Sequence, residues 1–424
     1  MCTSRLNEFL TEIRADLDRT VNFWLKHSHD NVNGGFFDCL DIDGKIYDEN
    51  KHVWLQARQV WMYARLYREV KRFNKKELLD AAIKGAEFLK KNAKNPETCK
   101  CFIVLTKEGK PVKLQRSIFS ECFYLMAMSE VGIVTGDQSY KDEALKMMDK
   151  IVYWVMVDNT DIGRISLEGS PVYSSLAVPM MVLCIINQIE TMDCSLGEKY
   201  SKATDWAVDE ILKHVKRDGT AVLENVGLDG SEQPGCDGRL LNPGHSIEAG
   251  WFLLDLAIKR NRPELVQTAI QNFMVVPFDY GWDKEYGGIY YFLDVDGWSP
   301  VQLEWDLKLF WPHNEAMISF LMAYKHTKET RHLETFAKIF DYCYSHFVDK
   351  EHGEWFGYLD RQGNVKMRFK GSAWKGNFQS LAAYKVNYNY KLHQKYSGKC
   401  VPACVTTLMS KYVMCLSPIG VYPN

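Results

Sequence analysis

The chain has 424 residues, 46% hydrophobic and 25% charged, the composition of an ordinary globular protein with room for a large core. A formal net charge of -2, with no long basic run, argues against a nucleic-acid partner. No apolar stretch approaches a membrane span, and the charged start Met1-Cys-Thr-Ser-Arg-Leu6 lacks a signal-peptide core, so no membrane association and a cytoplasmic location are expected.

Helical patterns are read over residues 5–26, 52–72, 76–92, 116–132, 138–156, 172–191, 197–215, 243–260, 263–275, 311–326, 331–348 and 372–390. Between the pairs lie short alternating aromatic and aliphatic stretches that end in Gly or Asp-Gly and read as small hairpins. Asn33-Gly-Gly-Phe-Phe-Asp-Cys-Leu-Asp41, Gly287-Gly-Ile-Tyr-Tyr-Phe-Leu-Asp294 and Gly353-Glu-Trp-Phe-Gly-Tyr-Leu-Asp360 are the clearest copies. Their leucines and those of three weaker copies, Leu40, Leu105, Leu167, Leu228, Leu293 and Leu359, recur in steps of 65, 62, 61, 65 and 66 residues. A fixed period marks a repeat architecture. Six helical pairs without a long strand fit a closed ring, which needs no special capping repeats. The predicted fold is all-α, an (α/α)6 barrel over residues 1–390, with 391–424 an irregular divergent tail. The 12 cysteines show no CxxC pairing or zinc-like rhythm and read as reduced thiols, many of them filling the core.

In such a ring the second helix of each pair follows a hairpin, so all six start at one end of the barrel. Their first turns hold Trp54-Leu-Gln-Ala-Arg58, Asn242-Pro-Gly-His245, Trp311-Pro-His-Asn-Glu315 and Trp374-Lys-Gly-Asn-Phe378. These should converge on an aromatic-lined pit, the default place for a ligand. Asn242 suits an N-cap and Pro243 the first helical position. His245 and Glu248 then share one face, three residues apart. His245 is read as an acid/base and Glu248 as the group that orients or tunes it; the bland alternative is a histidine that only caps the helix. Arg58 offers a fixed fork of donors for a sugar oxygen or an enolate, or else a buried salt bridge. Pro312 places His313 and Glu315 in a first turn, where Glu315 could orient an imidazole or accept a sugar hydroxyl. No third ligand accompanies this His-x-Glu pair, so no metal is expected. Trp54, Gln56, Asn242, Trp311, His313 and Lys375 complete the candidate sugar-binding set. No phosphate-binding glycine loop and no Gly-x-Ser-x-Gly elbow is present.

Six motifs in order carry a resemblance to a known family. They are Gly34-Gly-Phe-Phe-Asp-Cys-Leu-Asp41 with Tyr47-Asp48, Lys51-His-Val-Trp-Leu-Gln-Ala-Arg58, Leu176-Ala-Val-Pro-Met-Met181, Asn242-Pro-Gly-His-Ser-Ile-Glu-Ala-Gly-Trp251, Trp311-Pro-His-Asn-Glu315 and Trp374-Lys-Gly-Asn-Phe378. From near the N-terminus to about Phe378 the chain resembles the N-acylglucosamine 2-epimerases of mammalian type. The resemblance implies an (α/α)6 barrel that interconverts N-acetylglucosamine and N-acetylmannosamine with no cofactor in the chemistry. It also implies a cytosolic homodimer, ATP or another nucleotide as activator, and renin as a candidate partner. The family's acid/base role falls on His245, with Arg58, Glu248 and Glu315 beside it.

The chain departs from the family after Phe378. In the family the Trp-Lys-Gly-x-Phe motif is followed by His-Val-Pro-Arg, whose histidine is the second acid/base; here the chain reads Gln379-Ser-Leu-Ala382. A glutamine side chain exchanges no proton near neutral pH. An impaired epimerase is therefore expected, with its twelfth helix altered. Two alternatives are a non-catalytic renin-binding protein and an inverting glycoside hydrolase, for which Glu248 and Glu315 would be the carboxylates.

Overall fold

The computed structural model describes residues 3–163, 168–169 and 172–377. Its helices are α1 (Thr3–His27), α2 (Val53–Glu69), α3 (Lys76–Asn92), α4 (Phe119–Thr135), α5 (Gln138–Met156), α6 (Ala177–Met192) and α7 (Leu196–Lys199). There follow α8 (Ser201–Leu212), α9 (Gly235–Gly238), α10 (Pro243–Lys259), α11 (Pro263–Ile270), α12 (Val276–Gly281), α13 (Phe310–Thr327) and α14 (Thr330–His346). None of the described helices is long and apolar enough to cross a membrane.

Side-chain pattern sorts these helices into two layers. In α2 every residue from Val53 to Leu66 is buried, and α13 is buried without a break from Phe310 to Phe320. A helix hidden on all sides must be enclosed by others. In α14 burial instead recurs at Leu333, Phe336, Ala337, Phe340 and Cys343, one stripe with the opposite face in solvent. Helices α2, α4, α6, α10 and α13 accordingly form an inner ring, each packed on the next. Helices α3, α5, α8, α11 and α14 pack outside α2, α4, α6, α10 and α13 respectively. The outer layer closes where α1 meets α14, with the Phe9 ring 4.3 Å from Phe340 and 5.7 Å from Phe336.

Short strands stitch the rim. Strand Lys51–His52, just before α2, pairs with Phe102–Leu105 of the next repeat. Tyr173–Ser175 pairs in the same way with Asn225–Gly227, Leu240–Leu241 with Leu293–Asp294, and Lys308–Leu309 with Tyr358–Leu359. The ring closes on the first repeat, because the amides of Lys370 and Gly371 donate to the Leu40 carbonyl and the Leu40 amide donates to Gly371 O. This is the (α/α)6 barrel expected from the 61–66 residue period.

Three ion pairs lock this rim. Lys51 Nζ lies 2.7 Å from Asp30, Lys308 Nζ 3.0 Å from Asp283 and Lys370 Nζ 2.7 Å from Asp349, with all three ammonium groups fully buried. In each repeat the same aspartate also accepts two amides of its own turn: Val32 and Asn33, Glu285 and Tyr286, or Glu351 and His352. Burial alone would raise the Asp30 carboxyl, but these amides and Lys51 outweigh it and hold the group at about 2.

The structure corrects three expected helices. The pattern over 197–215 is two helices, α7 and α8, broken at Tyr200. The pattern over 263–275 runs on through a π turn at Gln271–Val275 into α12 and ends at Gly281. Of the helix expected over 372–390, the described residues 372–377 form a turn closed by a bridge between Ser372 and Lys375. Leu167, Gln379, the rest of that helix and the tail 391–424 lie outside the described residues.

Candidate active site

The first turn of α10 builds the centre of the site. Asn242 caps the helix, its Oδ1 accepting the His245 amide at 3.2 Å, and Pro243 occupies the first turn. His245 is therefore not the cap, and its imidazole is left for other work. Its Nδ1 lies 3.0 and 3.1 Å from the two carboxylate oxygens of Glu224. The Asn242 side-chain amide nitrogen also lies 3.0 Å from Nδ1. A carboxylate can only accept, so Nδ1–H donates to Glu224, and in the neutral ring the lone pair then falls on Nε2. Nε2 is buried and has no hydrogen-bond partner among the described residues.

Glu224 is itself held rigidly. Its amide donates to Leu240 O at 2.8 Å and its carbonyl accepts the Leu176 amide at 3.0 Å. The carboxylate that contacts the His245 ring is thus Glu224, where Glu248 was expected. No helical periodicity announces this residue, because Glu224 sits in a hairpin connection. The available signal was an acidic residue inside the otherwise apolar stretch Thr220-Ala-Val-Leu-Glu224, one of the weaker copies of the repeat.

The aromatic walls come from α13 and its hairpin. The Trp311 ring lies 5.2 Å from the His245 ring, and Tyr291 meets Trp311 edge-on at 6.2 Å. Gly244 makes the first contact possible, since a Cβ at that position would lie 2.5 Å from Trp311 Cη2. On the α2 side, the Arg58 guanidinium lies 5.1 Å from the Trp54 ring centre and 5.0 Å from Phe123. Arg58 and Trp54 are each 4% exposed.

Glu248 faces this group from α10. Its two oxygens are buried without a hydrogen-bond partner among the described residues. Burial pushes its carboxyl well above the usual range, the nearby Glu315 adds to this, and the Arg58 charge only partly opposes it. The charged form of Glu248 is therefore disfavoured in this setting. Glu315 is fixed by Trp251 on α10, whose Nε1 donates to its Oε2 at 2.7 Å. His245, Glu248, Glu315, Arg58, Trp54, Asn242 and Trp311 thus line one region at the hairpin end of the inner ring.

Three expected sugar-binding residues do other work. His313 donates from Nδ1 to Leu309 O at 2.6 Å and accepts the Ile289 amide on Nε2 at 2.9 Å, and burial lowers it to about 3. Both ring nitrogens being spent on backbone, it pins α13 to its hairpin. Gln56 is spent likewise: it accepts the Phe36 amide and donates to Phe36 O, both at 2.7 Å, and to Asp38. Lys375 Nζ donates to Glu354 Oε1 at 3.0 Å and to Lys370 O at 2.7 Å. Glu354 also accepts the Trp24 indole, so Lys375 belongs to the seam between α1 and the last repeat.

The model of the N-acylglucosamine 2-epimerase (GlcNAc 2-epimerase) family matches residues 35–377. The chain belongs to this family. The N-acylglucosamine 2-epimerase of Mus musculus is 52% identical over 367 residues, covering 86% of this chain and 88% of the relative. That of Homo sapiens is 50% identical over 374 residues, 88% of each chain. Among solved structures, the cellobiose 2-epimerase of Spirochaeta thermophila superposes with a TM-score of 0.78 at 19% identity, covering 92% of this chain and 99% of that one, and shows the same fold. As a GlcNAc 2-epimerase family member the chain is a sugar epimerase, an isomerase. Among the described residues of this epimerase, no group of three or more His, Cys, Asp or Glu side chains could hold a metal ion.

Proposed function

We propose that the protein interconverts N-acetyl-D-glucosamine and N-acetyl-D-mannosamine, with His245 as an acid/base at C2. The observation that carries this reading is the His245 imidazole, whose Nδ1–H is tied to Glu224 while Nε2 is buried and unpartnered among the described residues. Such a nitrogen is ready to take a proton from carbon. The mammalian relatives, named as N-acylglucosamine 2-epimerases, support the substrate class.

The reaction begins on the ring-opened sugar, where C2 is alpha to the C1 aldehyde. His245 Nε2 removes the C2 proton, the electron pair moves into C1–C2, and the negative charge collects on O1. Arg58 is the cation placed to hold that oxyanion, stabilising the enolate more than the aldehyde. Glu248, whose charged form burial disfavours, is the carboxyl suited to donate a hydrogen bond to a substrate oxygen. Trp311 and Trp54 supply apolar faces for the sugar. Reprotonation of C2 on the opposite face completes the inversion.

That second proton needs a second acid/base, which the family takes from the histidine whose place here is held by Gln379. We therefore propose that this form removes the C2 proton from one epimer and inverts poorly. A homodimer, activation by ATP or another nucleotide, renin as a partner and a cytoplasmic location are further proposals that rest on the family resemblance. The test is C2 hydrogen exchange in deuterated water, followed by NMR for each sugar separately. Exchange that depends on His245 supports the reading; no exchange from either sugar in a folded protein overturns it.

A further inference from the structure

Behind the Glu224–His245 pair lies a second histidine that the chemistry does not use. His214 follows α8 and is fully buried. Strand Val215–Lys216 pairs with Ala221–Val222, and His214 extends this ladder by one rung in an unusual way. Its carbonyl accepts the Leu223 amide at 3.0 Å, while its own side chain, through Nδ1, lies 2.7 Å from Leu223 O. A carbonyl partner requires Nδ1–H, so the lone pair of Nε2 is left buried with no partner among the described residues. An orphaned buried acceptor costs stability, and an apolar residue would fill the place without that cost. What the imidazole supplies in its place is the donor at Nδ1, which an apolar residue lacks.

What it holds is the point where the chain changes partners. Val222 pairs with Val215, and Leu223 is gripped on both its amide and its carbonyl by His214. One residue later Glu224 has turned away, to Leu240 O and the Leu176 amide. The Glu224 carboxylate therefore reaches His245 Nδ1 from a backbone fixed at two successive residues. The charged groups acting on His214 are Glu224, Glu210 and Lys216. We infer that His214 is a positioning residue for the acid/base, acting through Leu223 and Glu224 to keep the proton of His245 on Nδ1. The inference rests on the reading of His245 as the acid/base.

The test is imidazole NMR on the full-length, 15N-histidine-labelled protein, with the His245 signals assigned by their loss in H245Q. The readouts are the His245 tautomer and the solvent exchange of its Nδ1–H proton. Asparagine places an amide donor where Nδ1 of His214 stands, whereas glutamine places it near Nε2. The expected result is that H214N keeps the parent tautomer and exchange rate. In H214Q, Nδ1–H exchange should rise about tenfold, the equivalent of one lost hydrogen bond. The same loss should appear in H214L if that variant melts cooperatively. Equal behaviour of H214N and H214Q, or parent-like His245 signals in a folded H214L, overturns the inference. The signals report on the imidazole whether or not sugar is turned over, so an inactive enzyme does not imitate a failed test.

Discussion

Glu224 Oε1 lies 3.0 Å from His245 Nδ1 within one repeat, across the hairpin that leads into α10, and this contact ties one nitrogen of the imidazole to a carboxylate. One partner comes from a hairpin connection and the other from a helix N-terminus. Their meeting depends on the rim strands Tyr173–Ser175, Asn225–Gly227 and Leu240–Leu241, which flank Glu224.

Glu224→Gln should leave the fold intact and remove the C2 chemistry. A carboxamide can offer its NH2 to Nδ1, which then carries the lone pair and leaves the proton on Nε2. The rate of C2 exchange should fall roughly a thousandfold or more with little change in KM. An E224Q protein that exchanges C2 hydrogen at the parent rate would show that the carboxylate does not set the tautomer.

Glu248→Gln should have a signature in stability against pH. The folded carboxyl is raised well above its unfolded value, so the folded state holds a proton that the unfolded chain has released. With more protons bound when folded, stability falls as pH rises above the unfolded value of about 4.3. The decline continues until the raised folded value is passed. Glutamine imitates the neutral acid and lacks this slope. E248Q should therefore match the parent near pH 4 and be the more stable protein at alkaline pH, as read by urea unfolding across that range. Parallel curves would mean that Glu248 is ionised in the fold.

The rim lock at Lys308 and Asp283 should be asymmetric. Asp283→Ala strands a fully buried ammonium and should cost about 3–5 kcal/mol. Lys308→Met should cost less, because Arg361 Nε lies 3.2 Å from the same Asp283 oxygen and the amides of Glu285 and Tyr286 still point at the carboxylate. Urea denaturation of the two single variants checks this, and equal losses would contradict it.

Gly244→Ala tests the contact between Trp311 and the α10 entry. The new methyl would lie 2.5 Å from Trp311 Cη2 and 3.0 Å from Pro312 Cβ. Overpacking of this kind costs about 1–3 kcal/mol. The indole must move off His245, so a lowered melting temperature should come with changed tryptophan fluorescence and slower C2 exchange. A melting temperature and spectrum like the parent's would show that the space relaxes freely.

Much of this architecture is legible in the sequence because it is periodic. Leu40, Leu105, Leu293 and Leu359 all fall in short strands of the rim, and the inner helices start where the hairpins end. Asn242 and Pro243 announce the α10 entry through capping chemistry that is local and therefore readable. Glu224 was missed because its partner is 21 residues away and neither periodicity nor a cap links them. The Lys–Asp locks were missed for the same reason, their partners lying 21 to 25 residues apart across a hairpin. Gln56 and His313 lie in the first turns of α2 and α13 and Lys375 in the turn at 372–377, but position along the chain does not say which way a side chain turns. In all three the direction is set by backbone groups of a neighbouring hairpin or turn.

The most direct measurement of the central claim is entry of solvent deuterium at C2 of N-acetylglucosamine and of N-acetylmannosamine, each followed by NMR, in the parent and in H245Q. One sugar should exchange without appreciable inversion, and H245Q should abolish the exchange. Exchange that persists in H245Q would contradict the assignment of His245 as the acid/base.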